Sequence, residues 1–305
     1  MRNFLALTDL TAGEITQVFD RADELYRRWQ TNDMPKVMTD MTVGLWFYGN
    51  GFRNRTAFEI GLKSMGADVV YLPGELGVNE PIKDIGHYLK EWFSMLVIRA
   101  KRHEDLVRIA SDADIPTINA RTNYNHPCEI IGDLQYIRRE RGTIDGLNVV
   151  FVGEVTNLCM SWFEAAVRLP ICVIQVAPEE YVYPEDKVKE SNRKAIGSIA
   201  TSTDLKQVIS SNTDVLYTDC WPCEEEAGRI KKLFLPYQIN RETVESINHN
   251  GFFLPCPPVT RGQEVTVESL DSRRYKNFEA KQFLLHSQNA IIEFLAQQSG
   301  TNTTL

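Results

Sequence analysis

The chain has 305 residues, 43% of them hydrophobic and 24% charged, with a formal net charge of −8 at pH 7. That length accommodates two domains of ordinary size, and the acidic balance argues against a general nucleic-acid binder, whose footprint is basic. No apolar run approaches the ~20 residues of a membrane span, Met1-Arg2-Asn3-Phe4-Leu5 is too polar to begin a secretory leader, and six scattered cysteines do not form a disulfide framework, so a reduced, cytoplasmic setting is expected.

The first apolar run, residues 43–48, predicts a buried strand. The polar turn Gly51-Phe52-Arg53-Asn54-Arg55 follows it, and then a helix over residues 56–66 that stops at Gly66. A strand, a short turn and a helix start make an anion site, because the helix N-terminus carries free N–H groups and partial positive charge. Arg53 and Arg55 add guanidinium groups there. The plain alternative is two surface arginines, but arginine at a helix start opposes the dipole unless an anion is present. Further strands are predicted at 68–72, 95–100 (which contains Arg99) and 116–119, before a long helix from 126 to 141. A second series follows at 148–152, 172–177, 199–201, 214–218 and 252–255, and a last helix covers about 280–297. Most of these strands are continuously apolar, as in a parallel sheet covered on both faces, and strand–helix alternation implies an α/β fold. The expectation is two doubly wound parallel-sheet domains, 1–132 and 133–280, joined by the long helix, with 281–305 as a closing helical segment and a frayed tail over 299–304. Ligands in such sheets bind at the carboxyl ends of strands. Arg53, Arg99, His126, Glu154, Asp219 and Cys256 all follow predicted strands or open helices, so one cleft between the domains is expected to gather them.

Three segments carry a more specific signal. Gly51-Phe52-Arg53-Asn54-Arg55 stands against a Ser-Thr-Arg-Thr-Arg signature. Asn125-His126-Pro127-Cys128-Glu129 stands against His-Pro-x-Gln. Leu254-Pro255-Cys256-Pro257-Pro258, with Gly262-Gln263-Glu264-Val265 after it, stands against His-Cys-Leu-Pro and Gly-x-Glu-Val. In this order and spacing the chain resembles the aspartate/ornithine carbamoyltransferase family over essentially its whole length. Gly153-Glu154-Val155-Thr156-Asn157 resembles that family's Gly-Asp-x-x-Asn turn, and Tyr217-Thr218-Asp219-Cys220-Trp221 resembles the ornithine branch's Tyr-Thr-Asp-Val-Trp.

The resemblance implies carbamoyl transfer from carbamoyl phosphate to the amine of an amino acid or related small molecule. It also implies no metal or organic cofactor, a homotrimer, and a closing helix packed back on the first domain. It assigns catalytic roles to Arg53, His126 and Cys256. Donor contacts fall to Gly51, Phe52, Asn54, Arg55, Arg99, Glu129 and, from a neighbouring subunit, Glu75. Second-substrate contacts fall to Asn157, Asp219, Cys223 and Glu224. The residue types also admit plainer roles: a structural histidine at 126, a small buried hydrophobe at Cys256, a helix cap at Asp219. The sequence departs from the family at several of these positions. Hydroxyl residues are absent at 51, 52 and 54, Glu129 replaces Gln, Pro255 replaces His and Leu284 replaces Arg. Cys223-Glu224-Glu225 stands in place of Ser-Met-Gly, so neither ornithine nor aspartate is singled out as acceptor. Glu129 and the run 224–226 hint at a cationic group on the substrate, although an acidic run at a helix start also compensates the dipole. Two other readings stand beside transfer: a repurposed paralogue that binds another anionic small molecule, and, more remotely, a redox role for Cys220-x-x-Cys223.

Overall fold

Apolar runs too short to be helices, separated by turn residues, become the strands of two parallel sheets in the computed structural model, which describes residues 1–222 and 227–298. Two units emerge: Met1–Gln135 with the chain from Lys281 onward, and Tyr136–Ala280.

In the first unit, β1 (Thr42–Phe47), β2 (Asp68–Leu72), β3 (Met95–Arg99) and β4 (Thr117–Arg121) form a sheet of order β2-β1-β3-β4, parallel throughout. The helices are α1 (Ala12–Gln30), α2 (Phe52–Ser64), α3 (Ile82–Trp92), α4 (His103–Ala113) and α5 (Pro127–Arg141). α1 opens on a capping box: Glu14 N–H donates to Thr11 Oγ1 at 3.2 Å, and Thr11 N–H donates to Glu14 Oε2 at 2.8 Å. Its Ile15, Val18, Phe19, Ala22 and Leu25 recur at helical spacing and are all buried. β1 buries Val43, Leu45 and Phe47 on one face, and β3 is buried on both faces at Leu96, Val97 and Ile98. The chain winds from β1 out to β2, then crosses back to β3. The sheet's switch point therefore lies at the carboxyl ends of β1 and β3.

The second unit repeats the principle. β5 (Asn148–Val152), β6 (Cys172–Val176), β7 (Ser198–Ser202), β8 (Val215–Thr218) and β9 (Phe252–Pro255) pair in parallel in the order β7-β6-β5-β8-β9. Its helices are α6 (Asn157–Arg168), α7 (Glu185–Asn192), α8 (Leu205–Val208), α9 (Ala227–Phe234) and α10 (Arg241–Ser246). The switch point falls between β5 and β8.

The last helix, α11 (Asn277–Gln298), begins in the second unit and belongs to the first from Lys281. Four successive polar residues, His286, Ser287, Gln288 and Asn289, are buried in it. One of them makes a chain of contacts: Gln288 Nε2 donates to Asn54 Oδ1 at 2.7 Å, and Asn54 Nδ2 donates to the Ala120 carbonyl at 2.6 Å. The closing helix, the start of α2 and strand β4 are locked together by that chain.

Each strand expected from the sequence is present. Two boundaries differ in ways that matter for the site. α2 starts at Phe52 rather than near residue 56, because Gly51 adopts a left-handed conformation (φ 42°, ψ 37°) that turns the chain directly into the helix. β4 continues to Arg121, two residues beyond its expected end. No helix among the described residues is long and apolar enough to cross a membrane.

Candidate active site

The early start of α2 moves Arg53, Asn54 and Arg55 out of a loop and into the helix's first turn. The N–H groups of Phe52, Arg53 and Asn54 have no acceptor within the helix, whereas Arg55 N–H donates to the Gly51 carbonyl at 3.0 Å. Gly51 is needed for a second reason besides its backbone angle. A Cβ on it would stand 2.9 Å from Arg99 Nη1, so glycine lets the Arg99 side chain lie directly against the turn. Arg99, the last residue of β3, is held in turn by Nε donating to the Tyr48 carbonyl at 3.1 Å. Arg99 is in register with Arg121, the last residue of β4. The switch point of the first unit thus carries Arg53, Arg99 and Arg121 on three successive segments.

The other members of this stretch do not share that orientation. Asn54 is a correction to the donor contacts expected from the sequence: it is only 4% exposed, and both ends of its amide are engaged inside the unit by Gln288 and Ala120. The Arg55 guanidinium lies 5.1 Å from the centre of the Tyr71 ring on edge strand β2. Phe52 is 56% exposed, with the Arg53 guanidinium 4.9 Å from its ring centre. Glu75 sits in the loop between β2 and α3, beside a surface hollow of about 890 Å³ that Lys83, Lys101 and Arg102 also line. That hollow, though large, is lined by none of the residues expected in the donor site other than Glu75.

His126 is placed by the turn before α5. Thr122 N–H donates to the Asn125 carbonyl at 2.9 Å, and Asn125 Nδ2 reaches the Leu5 carbonyl at 3.0 Å. Pro127 then opens α5, where a missing N–H costs nothing. His126, Glu129 and Asp133 follow at helical spacing on one face, and all three are buried. Lys281 reaches them from α11. Its Nζ lies 2.7 Å from Glu129 Oε1, and 2.7 and 2.8 Å from the two oxygens of Asp133. His126 Nε2 lies 3.6 Å from Glu129 Oε2.

Two titrations follow from this packing. Burial keeps His126 from taking a proton and moves its pKa down to about 3; the carboxylate of Glu129 pulls the other way, and Arg121, Arg99 and Lys281 reinforce the burial. His126 is a neutral ring at ordinary pH. Burial alone would make Glu129 a neutral acid, but Lys281, with help from Arg53, overrides it and holds the carboxyl ionised. The idea that Glu129 awaits a cationic substrate group is therefore corrected: the cation it faces is Lys281 of the same chain. Arg121, Arg99 and Lys281 act on His126, while Lys281 and Arg53 act on the neighbouring Glu129, so the histidine face is set among cations. Buried Leu284 contributes no charge; Lys281, one turn earlier, supplies it.

Sequence reasoning did not find Lys281, Asp133 or Arg121. Arg121 was accessible in principle, since it ends a strand at the ligand-binding edge. Asp133 shares a face with His126 and Glu129. Lys281 is distant in sequence from everything it touches, and no local pattern marks it.

In the second unit the expected residues gather at its own switch point. Glu154 and Asn157 follow β5, and Asn157 is the first residue of α6, only 6% exposed. Asp219 follows β8, with Oδ1 accepting from Cys220 N–H at 2.9 Å, a local cap of its own turn. Cys256 follows β9, and its N–H donates to the Thr218 carbonyl at 2.8 Å. Glu264 accepts from Thr260 N–H; burial and then the charge of Asp219 push its carboxyl pKa up. Burial and Asp219 likewise push the Cys159 thiol up. Cys223 and Glu224, with the rest of the run to 226, lie outside the described residues, as does the tail from 299.

Known proteins give independent findings. Residues 2–139 match the family profile described as aspartate/ornithine carbamoyltransferase, carbamoyl-P binding domain, and residues 145–295 match the one described as the Asp/Orn binding domain. The chain is 33% identical to the ornithine carbamoyltransferase of Carboxydothermus hydrogenoformans, with 96% of this chain and 97% of that protein covered. It is 30% identical to that of Hydrogenovibrio crunogenus, over 97% and 98%. Among solved structures, ornithine carbamoyltransferase from Pyrococcus furiosus superposes with a TM-score of 0.88 at 28% identity, covering 95% of this chain and 96% of that one.

The buried neutral histidine has a measurable consequence. The unfolded chain takes up the His126 proton near the ordinary value of 6.5, the folded chain only near 3, so the unfolded state gains as pH falls through that window. Glu129, held low, acts in the same direction below its ordinary value of 4.5. Stability should fall from pH 7 to pH 4, with His126 contributing up to about 1.4 kcal/mol per pH unit. In His126→Gln the fall should be shallower when thermal unfolding is followed across that range; an unchanged slope would show that His126 is not held neutral.

Proposed function

The chain belongs to the aspartate/ornithine carbamoyltransferase family, an enzyme family, and we propose that it transfers a carbamoyl group from carbamoyl phosphate to the amine of an amino acid or related small molecule. The observation that carries this reading is the neutral His126 set beside Arg121, Arg99 and Lys281, at a helix start near a sheet switch point.

In the proposed reaction an uncharged amine attacks the carbonyl carbon of the donor and the C=O bond becomes an oxyanion. That oxyanion collapses, the bond to the bridging phosphate oxygen breaks, and phosphate departs with the electron pair while the amine loses a proton. Charge develops at the carbonyl oxygen and on the leaving phosphate, so preorganised donors at those two places lower the barrier. Arg53, Arg99 and the first turn of α2 take the phosphate, guanidinium being suited to it by its paired N–H groups. His126, neutral, donates a ring N–H to the carbonyl oxygen; a neutral ring can do this without surrendering its proton. Arg53 assists at the same oxygen. On the second unit, Asn157 and Asp219 take the amino acid, Asp219 pairing with a cationic group of the acceptor, and Cys256 borders the reacting carbon. No metal or organic cofactor has a part in these steps.

A second reading, a paralogue turned to another anion, is favoured by one feature: the first turn of α2 offers exposed Phe52 and inward-facing Asn54 where hydroxyl donors were expected. Calorimetric titration with carbamoyl phosphate separates the two. Saturable binding that weakens about 10- to 150-fold in Arg53→Ala, the loss of one or more charge-assisted hydrogen bonds, supports transfer. No binding by a folded wild-type protein sinks it and leaves the repurposed reading. Given binding, Asp219→Asn should raise the KM for amino-acid acceptors about tenfold or more while donor affinity holds; equal effects on both substrates would remove Asp219 from the acceptor site. The reading also carries a homotrimer in which Glu75, from the loop between β2 and α3, approaches a neighbour's donor. A sedimentation mass of a single 34.8 kDa chain would exclude that assembly.

A further inference from the structure

We propose that Lys281 is a positioning residue for the donor: it fixes Glu129 as a carboxylate beside His126, so that only a hydrogen-bond acceptor faces the donor's amide nitrogen. The inference deepens the carbamoyl-transfer reading and rests on it for the identity of the donor. The ionic arrangement itself does not.

The geometry divides the labour among four side chains. Asp133, almost wholly buried, holds the Lys281 ammonium with both of its oxygens and anchors it. Glu129 meets the same ammonium through Oε1 and turns Oε2 toward His126, at 3.6 Å. That distance exceeds a hydrogen bond, so Oε2 is not spent on the ring. An ionised carboxylate accepts hydrogen bonds and donates none, whereas a protonated one donates. A carbamoyl group presents an oxygen that accepts and an NH2 that donates. Next to a neutral histidine that can donate to the oxygen, an accepting Glu129 fits the NH2, and the group can sit only one way round. The arrangement also discriminates. An acetyl group has a methyl in place of the NH2 and would leave a buried carboxylate oxygen unsatisfied, the kind of mismatch that rejects an analogue strongly.

Several charged and titratable groups surround Glu129. From the turn before α5 comes His126, and from α5 Asp133 and the Cys128 thiol; from α2 comes Arg53; from α11 comes Lys281; Arg99 and Arg121, at the ends of β3 and β4, act on the adjoining His126. Among them Lys281 makes the closest contact with the carboxylate and bears the largest share of holding it ionised.

The test compares wild type, Lys281→Met, Lys281→Arg and the double variant Lys281→Met/Glu129→Gln, all full length. One readout needs no donor. Without Lys281 the Glu129 carboxyl titrates above its ordinary range in the folded chain, so the folded state holds a proton that the unfolded state has lost. Lys281→Met should therefore lose unfolding midpoint as pH rises from 5 to 8, relative to the double variant, in which position 129 cannot ionise. Parallel profiles for the two would overturn the proposal. The second readout is carbamoyl phosphate affinity at pH 6 and pH 8, each measured against wild type. Lys281→Met should lose about tenfold more at pH 6 than at pH 8, while Lys281→Arg and the double variant should show no extra loss at the lower pH. A pH-independent loss in Lys281→Met would mark Lys281 as merely structural and also overturn the proposal. Acetyl phosphate should bind wild type at least 100-fold more weakly than carbamoyl phosphate; equal affinity would refute the orienting role of Glu129. If wild type binds neither acyl phosphate, the orienting role fails together with the carbamoyl reading, and the unfolding profiles still decide whether Lys281 holds Glu129 ionised.

Discussion

An ammonium group lodged between two buried carboxylates sets the terms for the candidate donor site. Ionised carboxylates taken out of water cost several kcal/mol unless a counter-charge and hydrogen bonds go with them. Lys281 supplies both to Glu129 and Asp133 at 2.7 Å. Because it comes from α11, the chemistry on α5 depends on the return of the last helix to the first unit. The Gln288–Asn54–Ala120 chain makes the same dependence at the start of α2, where Arg53 sits. The closing helix thus holds the arginine turn at one point and the histidine face at another.

The parallel sheets explain why basic residues collect where they do. A doubly wound sheet leaves a gap in its helix cover where the winding reverses, and the segments after the two flanking strands both open there. In the first unit those segments begin with Gly51 after β1 and end with Arg99 on β3, and Arg121 adds the next strand end. Guanidinium groups so placed repel one another, and Glu129 and Asp133 offset that repulsion. The second unit meets the same topology with the opposite sign, Asp219 beside a Glu264 and a Cys159 whose ionisation its charge disfavours.

Some parts of this were legible in the chain and some were not, for reasons that differ by residue. Strands such as 68–72 and 148–152 were read with correct ends because continuous apolar runs bounded by turn residues have few alternatives. The start of α2 was missed because Gly51 looks like a loop glycine; only its left-handed angles show that it ends the turn in a single residue. Asn54 reads as a donor contact because nothing local reveals that Gln288, 234 positions away, closes over it. Arg55 looked equivalent to Arg53, yet Tyr71 on the edge strand draws it to another side.

By itself the sequence determined the two-sheet α/β fold, the nine strands among the described residues, the family, and the placing of Arg53, Arg99, His126, Asp219 and Cys256 at strand ends or helix starts. These follow from short-range periodicity and from motifs whose parts lie close together in the chain. Tertiary structure alone decided which charges compensate which. The meaning of Glu129 reverses from a carboxylate in search of a cation to one already holding Lys281. That change comes from a contact made only when the last helix folds back on the first unit. Hydrophobic pattern is written residue by residue, but electrostatic pairing falls off with distance in space and takes no account of distance along the chain.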